Sequence, residues 1–466
     1  MIVAFALLSL FAGSPWPGVS EAPHYSHLAR AWAQGQLEID GPPPGYPRAH
    51  NDWARVTMLR TTPDQPPRRA RRCVTHACQA AERDGAPRET MWWVEGATDP
   101  VRVSAAAVRD ASTRWFVSFP PGPAVLFLPW VLATNAPVPD RSLTLLLAAL
   151  CAAALVWMLD SWQRRRDARH LWLAGAWLLA SPATFVGSAG GVWFTAQILG
   201  SLALVLALRA WLCGGLGMQA GVWLAVACAC RPHLGLIAPV WILVGARAHG
   251  LDRANLRRIA GFLLPLSLCA VLLMLHNQAR FGAPLEFGHV WLDVRWQHRM
   301  QEYGMFSTTY LARNIQCLLF VPFQFQASWP WVRISIHGIG LIVTAPWIAL
   351  ALLRPRARAQ RTTWRILLVS TAIVATLPLL YHNSGQLQVS YRFALDYLPM
   401  LIAAIAVRPS GKPRLERLII AAAVASNLHF CWAFAHHRAS LFVARPAGWP
   451  FQQELTAMRA PPSPRP

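Results

Sequence analysis

Two acids and a set of arginines are the residues of this chain whose types and positions could do chemistry. Glu21 lies in "SEAPH", directly after the first apolar run, and Asp52 lies in "AHNDWA", behind the proline-rich "DGPPPGYPRAH". A carboxylate at a membrane–water boundary can take a proton from a hydroxyl or help hold a divalent cation. The bland alternative is a helix cap or a solvated loop acid, and "SEAPHY" is a fair helix start. His24, His27, Leu28, Ala31 and Trp32 then fall at i, i+3, i+4 spacing. That spacing predicts an amphipathic helix lying on the membrane, with Gly35 as its stop. His24 is a candidate substrate contact; the metal-ligand set is unknown.

Arg231, in "CRPHLGLIAP", sits between two apolar half-spans. Such a charge is costly unless it lines a cavity or meets an anion, or unless it snorkels from a helix end. Arg280 and Glu286 lie in "HNQARFGAPLEFGH", and Tyr391, Arg392 and Asp396 lie in "SGQLQVSYRFALDYLP". Arginine's planar fork suits bidentate contact with phosphate. The structural alternative is an Arg392–Asp396 pair, four residues apart on a helix. Together these residues outline a site for an anionic, lipid-attached substrate.

The elements that must position them are membrane helices. Hydrophobic residues make up 55% of the chain and charged residues 14%, against nearer a quarter charged in soluble domains. The runs Leu143–Leu159, Leu171–Leu208, Ala210–Cys230, Ile259–Leu275, Ile334–Leu353, Ile366–Leu380 and Leu418–Ala435 hold no Asp, Glu, Lys or Arg. A span needs ~20 such residues. The expected fold is all-α: a polytopic membrane protein of about 11 transmembrane helices, residues 1–435, with a large first extracytoplasmic loop carrying interfacial helices at 15–141. A Pro/Arg-rich tail, 436–466, completes the chain outside.

A formal charge of +22 would suggest nucleic acid in a soluble protein. Here most arginines lie in short loops between apolar runs, as the positive-inside rule requires, so no nucleic-acid partner is expected. The loops 163–170, 247–258, 354–365 and 408–417 are therefore assigned to the cytoplasm, with the amino terminus inside and residues 1–13 as a first helix. Helices three and four flank a turn at 188–191, and 219–246 crosses twice with its turn at 230–232. Phe119–Asn135 and Ala312–Phe325 must then not cross; both are short and read as interfacial or re-entrant. All cysteines but Cys73 and Cys78 lie in or beside apolar runs. An oxidising compartment would allow that one pair to join. Arginine throughout, with Lys412 the single lysine, points to a GC-rich bacterial genome, hence an inner (plasma) membrane with the site facing the periplasm.

A family resemblance rests on the order of these stretches. "E-x-x-H-Y-x-x-L-A-x-A-x-x-x-G-x-L" is followed by "FVSFPPGPAVLFLP", "FVGSAGGVWFTAQILGSLALVLALR", "CRPHLGLIAP", "HNQARFGAPLEFGH" and "YRFALDYLP". The chain resembles the GT-C integral-membrane glycosyltransferases, nearest the bacterial family related to protein O-mannosyltransferases and lipid A aminoarabinose transferase. The resemblance implies transfer of a sugar from a polyprenyl-phosphate-linked donor to a lipid, glycan or protein acceptor, among membrane lipids, at the extracytoplasmic face. It implies Glu21, or Asp52, as the base, and Arg231, Arg280 and Arg392 as partners of the leaving phosphate. The family's acidic pair is a single acid here, and the lysine before its proline pair is replaced by Phe119. No organic cofactor is implied, and a divalent cation stays an open alternative. A secondary transporter or lipid flippase is the rival from another class, and a non-catalytic protein of the same fold is a third reading. The absence of an internal repeat and the length of the first outer loop weigh against the transporter.

Overall fold

A computed structural model describes residues 18–45, 52–61, 64–85, 89–294 and 296–443. The expected first helix, and the tail beyond 443, lie outside the described residues. The chain is mostly helical and divides into two compact units. Each is built from segments that are distant in sequence.

One unit joins residues 18–23, Val138–Ala270 and the described residues from 310 onward. Among the described residues of the chain, five helices are long and apolar enough to cross a membrane: Asp140–Gln163, Val192–Gly214, Arg253–Phe281, Arg358–Leu380 and Pro413–His436. A bent pair, Ala168–Leu179 and Ala183–Ala189, makes six if it is one span. The turn expected at 188–191 is present, with Gly190 and Gly191 at φ 65° and 95°. A Cβ on Gly190 would lie 2.6 Å from the Arg141 backbone, so the turn needs glycine for space as well as dihedral.

The expected run of about 11 spans is not reached by helix length. Residues 219–246 fold as Met218–Cys230, a 3-10 turn Pro232–Ile237 and Ala238–His249. Prolines 232 and 239 supply no N–H to a continuous helix there. Residues 334–353 likewise break into strand Val332–Ser335, helix Leu341–Thr344 and 3-10 turn Pro346–Leu352. The two segments expected not to cross form short helices, Gly122–Thr134 and Leu311–Leu319.

The other unit joins His24–Pro137 with Val271–Thr309, the two stretches assigned outside. The expected amphipathic helix is His24–Ala33, and Gly35 follows at φ 73°. It packs on Gly122–Thr134 through Tyr25 and Phe127, ring centroids 6.1 Å apart. The rest corrects the all-α expectation. Strands β1 (Trp53–Leu59), β2 (Arg68–Arg72), β3 (Glu89–Val94), β4 (Val101–Ser104) and β5 (Ser112–Val117) form an antiparallel sheet in the order β4-β3-β2-β1-β5. The arginines of β2 hid it. Ala70 points into the core and is fully buried, while Arg69 pairs with Glu95 at 3.0 Å and Arg72 with Glu82 at 3.2 Å. A strand needs one apolar face, and a small residue can supply it when its neighbours carry the charge outward. Cys73 and Cys78 form a disulfide that ties the end of β2 to helix His76–Arg83.

Candidate functional site

The sequence motifs gather in two places, one in each unit. In the membrane-helix unit, helix Met218–Cys230 ends at Arg231, because Pro232 follows. Arg231 Nε donates to Asp396 Oδ1 at 3.1 Å and Nη2 to Oδ2 at 2.6 Å, a bidentate pair. His233 Nε2 stands 3.0 Å from the same Oδ2. Asp396 is buried, at the end of the 3-10 turn Arg392–Asp396. That turn hangs on helix Val192–Gly214: Ser201 Oγ donates to the Leu395 carbonyl at 2.9 Å, and Gln197 Nε2 to that of Arg392 at 3.4 Å. Gly200, on the same helix face, leaves room for Arg231, whose Cγ would lie 3.0 Å from a Cβ there.

The alternative pairing of Arg392 with Asp396 presumed an α-helix. The segment is 3-10, whose facing positions are i and i+3. Asp396 turns to Arg231 and His233, and Arg392 Nη1 donates to Gln388 Oε1 at 3.2 Å over the ring of Phe393. Tyr391 is fully buried, its hydroxyl donating to the Pro378 carbonyl at 3.4 Å, so it supports the turn from inside the core.

Glu21 belongs to the same unit, on a strap that the sequence reading did not anticipate. Asp140, the first residue of its helix, accepts the Ser20 N–H and the Ser20 hydroxyl, each at 2.6 Å. The Val192 N–H donates to the Ala22 carbonyl at 3.1 Å. The backbone on either side of Glu21 is thus held at two points. Its side chain is exposed and makes no hydrogen bond or ion pair among the described residues. The backbone that carries the carboxylate is anchored, and the carboxylate itself is unspent among the described residues.

The second gathering lies in the sheet unit, where β1 and β5 pair Trp53 with Val117. His24 stacks on Trp53 at 3.9 Å, and Phe119 meets His24 and His289 edge-on at 6.1 and 5.9 Å. His27 meets the Trp53 ring edge-on at 5.5 Å, and burial with nearby Arg30 holds its pKa below the usual histidine range. Asp52 has φ 58°, and its carbonyl accepts the Ser118 hydroxyl at 2.6 Å. Gly288, at φ 95°, allows the "FGH" turn to touch Ser118: a Cβ would lie 2.9 Å from Ser118 Cα.

Two further residues expected to face a substrate make bonds within this unit. Arg280 is fully buried; Nη1 donates to the Val117 carbonyl at 2.6 Å and Nη2 to Asn277 Oδ1 at 3.0 Å. Glu286 Oε1 accepts the Val290 N–H at 3.2 Å, closing the turn. Burial pushes the Glu286 carboxyl above its usual range, and the turn's N–H groups and Arg71 only partly offset that.

The site residues thus divide by what they have left to offer. Arg231, Arg392, Tyr391 and Asp396 come together; Asp52, His24, Arg280 and Glu286 come together separately. Asp140, His233, Gln197, Trp53 and Ser118 were missed. An acid opening an apolar run was the only sequence signal for Asp140, and His233 stood inside a quoted motif. Among the described residues, no group of three His, Cys, Asp or Glu side chains is arranged to hold a metal ion. No protein-family model, curated protein or solved structure matches the chain.

Proposed function

We propose that the protein is a polyprenyl-phosphate-dependent glycosyltransferase of GT-C type, acting at the extracytoplasmic face of a bacterial inner membrane. The observation that carries this reading is the state of Glu21. Among the described residues it is an exposed, unpaired carboxylate between two pinned backbone positions, whereas Asp396 is committed to Arg231 and Glu286 to its turn. A general base must be held in place and must be free to take a proton. In this reading the acceptor hydroxyl attacks the anomeric carbon as the bond to the donor phosphate breaks. The hydroxyl proton passes to Glu21, and polyprenyl phosphate leaves. Arg231, whose side chain is 22% exposed beside Asp396, meets the charge that develops on the phosphate. The broken helices Met218–Cys230 and Ala238–His249 cross with the longer ones in a topology of about 11 spans.

The test is transfer of labelled sugar from polyprenyl-linked donors, in membranes holding the wild type or Glu21→Gln. Transfer by the wild type, lost at least a hundredfold in a variant that melts normally, is the expected result. Full transfer by the variant moves the base to Asp52. Absence of transfer with any donor, together with lipid or solute flux, overturns the enzyme in favour of a transporter; broken helices around a buried charge pair suit that class too.

A further inference from the structure

We propose that the arginine-rich end of the membrane helices holds an anionic phospholipid, its phosphate at Arg258 and its acyl chains along residues 256–268. The proposal is independent of the transfer reaction and concerns the face that the positive-inside rule places in the cytoplasm. Five helix ends converge there on a cavity of about 270 Å³, contributed by Asp140–Gln163, Val192–Gly214, Ala238–His249, Arg253–Phe281 and Arg358–Leu380. Its polar lining includes His249, Asn255, Arg258, Thr362 and Thr363; Trp211 and Leu216 form part of its apolar wall. A cationic, hydroxyl-bearing mouth over an aromatic floor fits a phosphate ester with a hydrocarbon tail.

The wall is built rather than incidental. Asn255 is buried, and its amide donates to the Gly250 carbonyl at 2.6 Å and the Gly245 carbonyl at 3.3 Å. Those bonds fix the turn that brings His249 and Arg258 to one cavity. Asp252 is the sole acid of 247–258, and its carboxylate accepts the Asn255 N–H at 2.7 Å. Residues 354–365 contain none. Arg258 is exposed and has no acid partner among the described residues. Excess arginine beside a membrane helix attracts anionic headgroups.

The tail has a path. The most apolar stretch of Arg253–Phe281 is 11% buried, against 61% for Asp140–Gln163 and Val192–Gly214. Leu264 and Leu268 are 62% and 59% exposed on the helix that carries Arg258. In the proposed pose the phosphate sits at the cation and the chains lie along the exposed side of that helix, where Leu264 and Leu268 stand. A free phosphate would use only the mouth.

The experiment is native mass spectrometry of the full chain in neutral detergent. The probes are phosphatidylglycerol, phosphatidylcholine with the same chains, and inorganic phosphate. One phosphatidylglycerol is expected to bind at least tenfold tighter than phosphatidylcholine. Arg258→Gln should remove that preference, whereas Arg414→Gln, in another arginine-rich loop, should leave it intact. Equal retention of the two lipids, or an unchanged preference in Arg258→Gln, overturns the proposal. Displacement of the lipid by inorganic phosphate overturns it as well, in favour of a soluble anion.

Discussion

Arg231 grips both carboxylate oxygens of Asp396, at 3.1 and 2.6 Å, and His233 stands against the second. The two partners are not equally buried: the Asp396 side chain is 1% exposed and that of Arg231 22%. Breaking the pair should therefore cost different amounts from its two ends. Arg231→Met strands a buried carboxylate and should lower stability by about 3–5 kcal/mol. Asp396→Leu leaves a cation that can still reach water and should cost less, and the double variant should recover part of the loss. Denaturation in detergent, run as a double-mutant cycle, measures the coupling. Additive losses would mean that the pair contributes nothing as a pair.

The strap that carries Glu21 depends on Asp140. Removing both oxygens in Asp140→Ala frees the Ser20 N–H and hydroxyl, at a cost of about 1–3 kcal/mol for the lost buried acceptor. If Glu21 is the base, transfer should fall more than tenfold through kcat, with the donor KM little changed. Asp140→Asn keeps one acceptor for the Ser20 N–H and should retain most of the rate. A merely structural role for Asp140 would lower the yield of folded protein and leave kcat per folded molecule untouched. Glu21→Gln in the Asp140→Ala background should then add little, because the two act on one step.

What was legible in the sequence followed from long-range composition and from punctuation. Uncharged runs gave the membrane helices, and Gly190, Gly191, Pro232 and Gly35 marked breaks that are present. The amphipathic helix after Glu21 was readable because His24, Leu28 and Ala31 share one face. The sheet was not readable, since β2 reads "RRARR" and its inward face is one alanine. Contacts between distant segments were illegible for another reason. Asp140 holds Ser20 across 120 positions and Asp396 meets Arg231 across 165. No local pattern records either pairing. The same limit explains Arg280, which lies beside a span like a phosphate ligand but donates to the carbonyl at the end of β5.

Glu286 gives the sheet unit a pH dependence of predictable sign. Burial raises its carboxyl pKa in the folded state, so between the ordinary glutamate value and the raised one the native state binds more protons than the unfolded chain. Stability from this group is then full in acid, below the unfolded pKa, and is lost as pH rises through the folded pKa. Glu286→Gln keeps an acceptor for the Val290 N–H and has no proton to lose. Its melting temperature should show a weaker decline across that window than the wild type's. Parallel curves for the two proteins would show that Glu286 titrates alike in the folded and unfolded states.

The Cys73–Cys78 disulfide bears on which side of the membrane the sheet unit faces. Disulfides persist in oxidising compartments and are rare in the reducing cytosol, so this bond and the arginine-rich loops make independent statements about sidedness. In intact cells, a membrane-impermeant reductant followed by a maleimide polymer should shift Cys73 and Cys78 on gels. Without reduction, both should stay unmodified. Closing so short a loop contributes only about 2 kcal/mol in the chain-entropy account. The double variant Cys73→Ser, Cys78→Ser should therefore fold with a modestly lower melting temperature. Helix His76–Arg83 keeps its Thr75 cap, which accepts the Cys78 N–H at 3.2 Å. Labelling of both thiols only after the cells are opened would place the sheet in the cytoplasm. That result would reverse the topology and remove Glu21 from the face where a lipid-linked donor is expected.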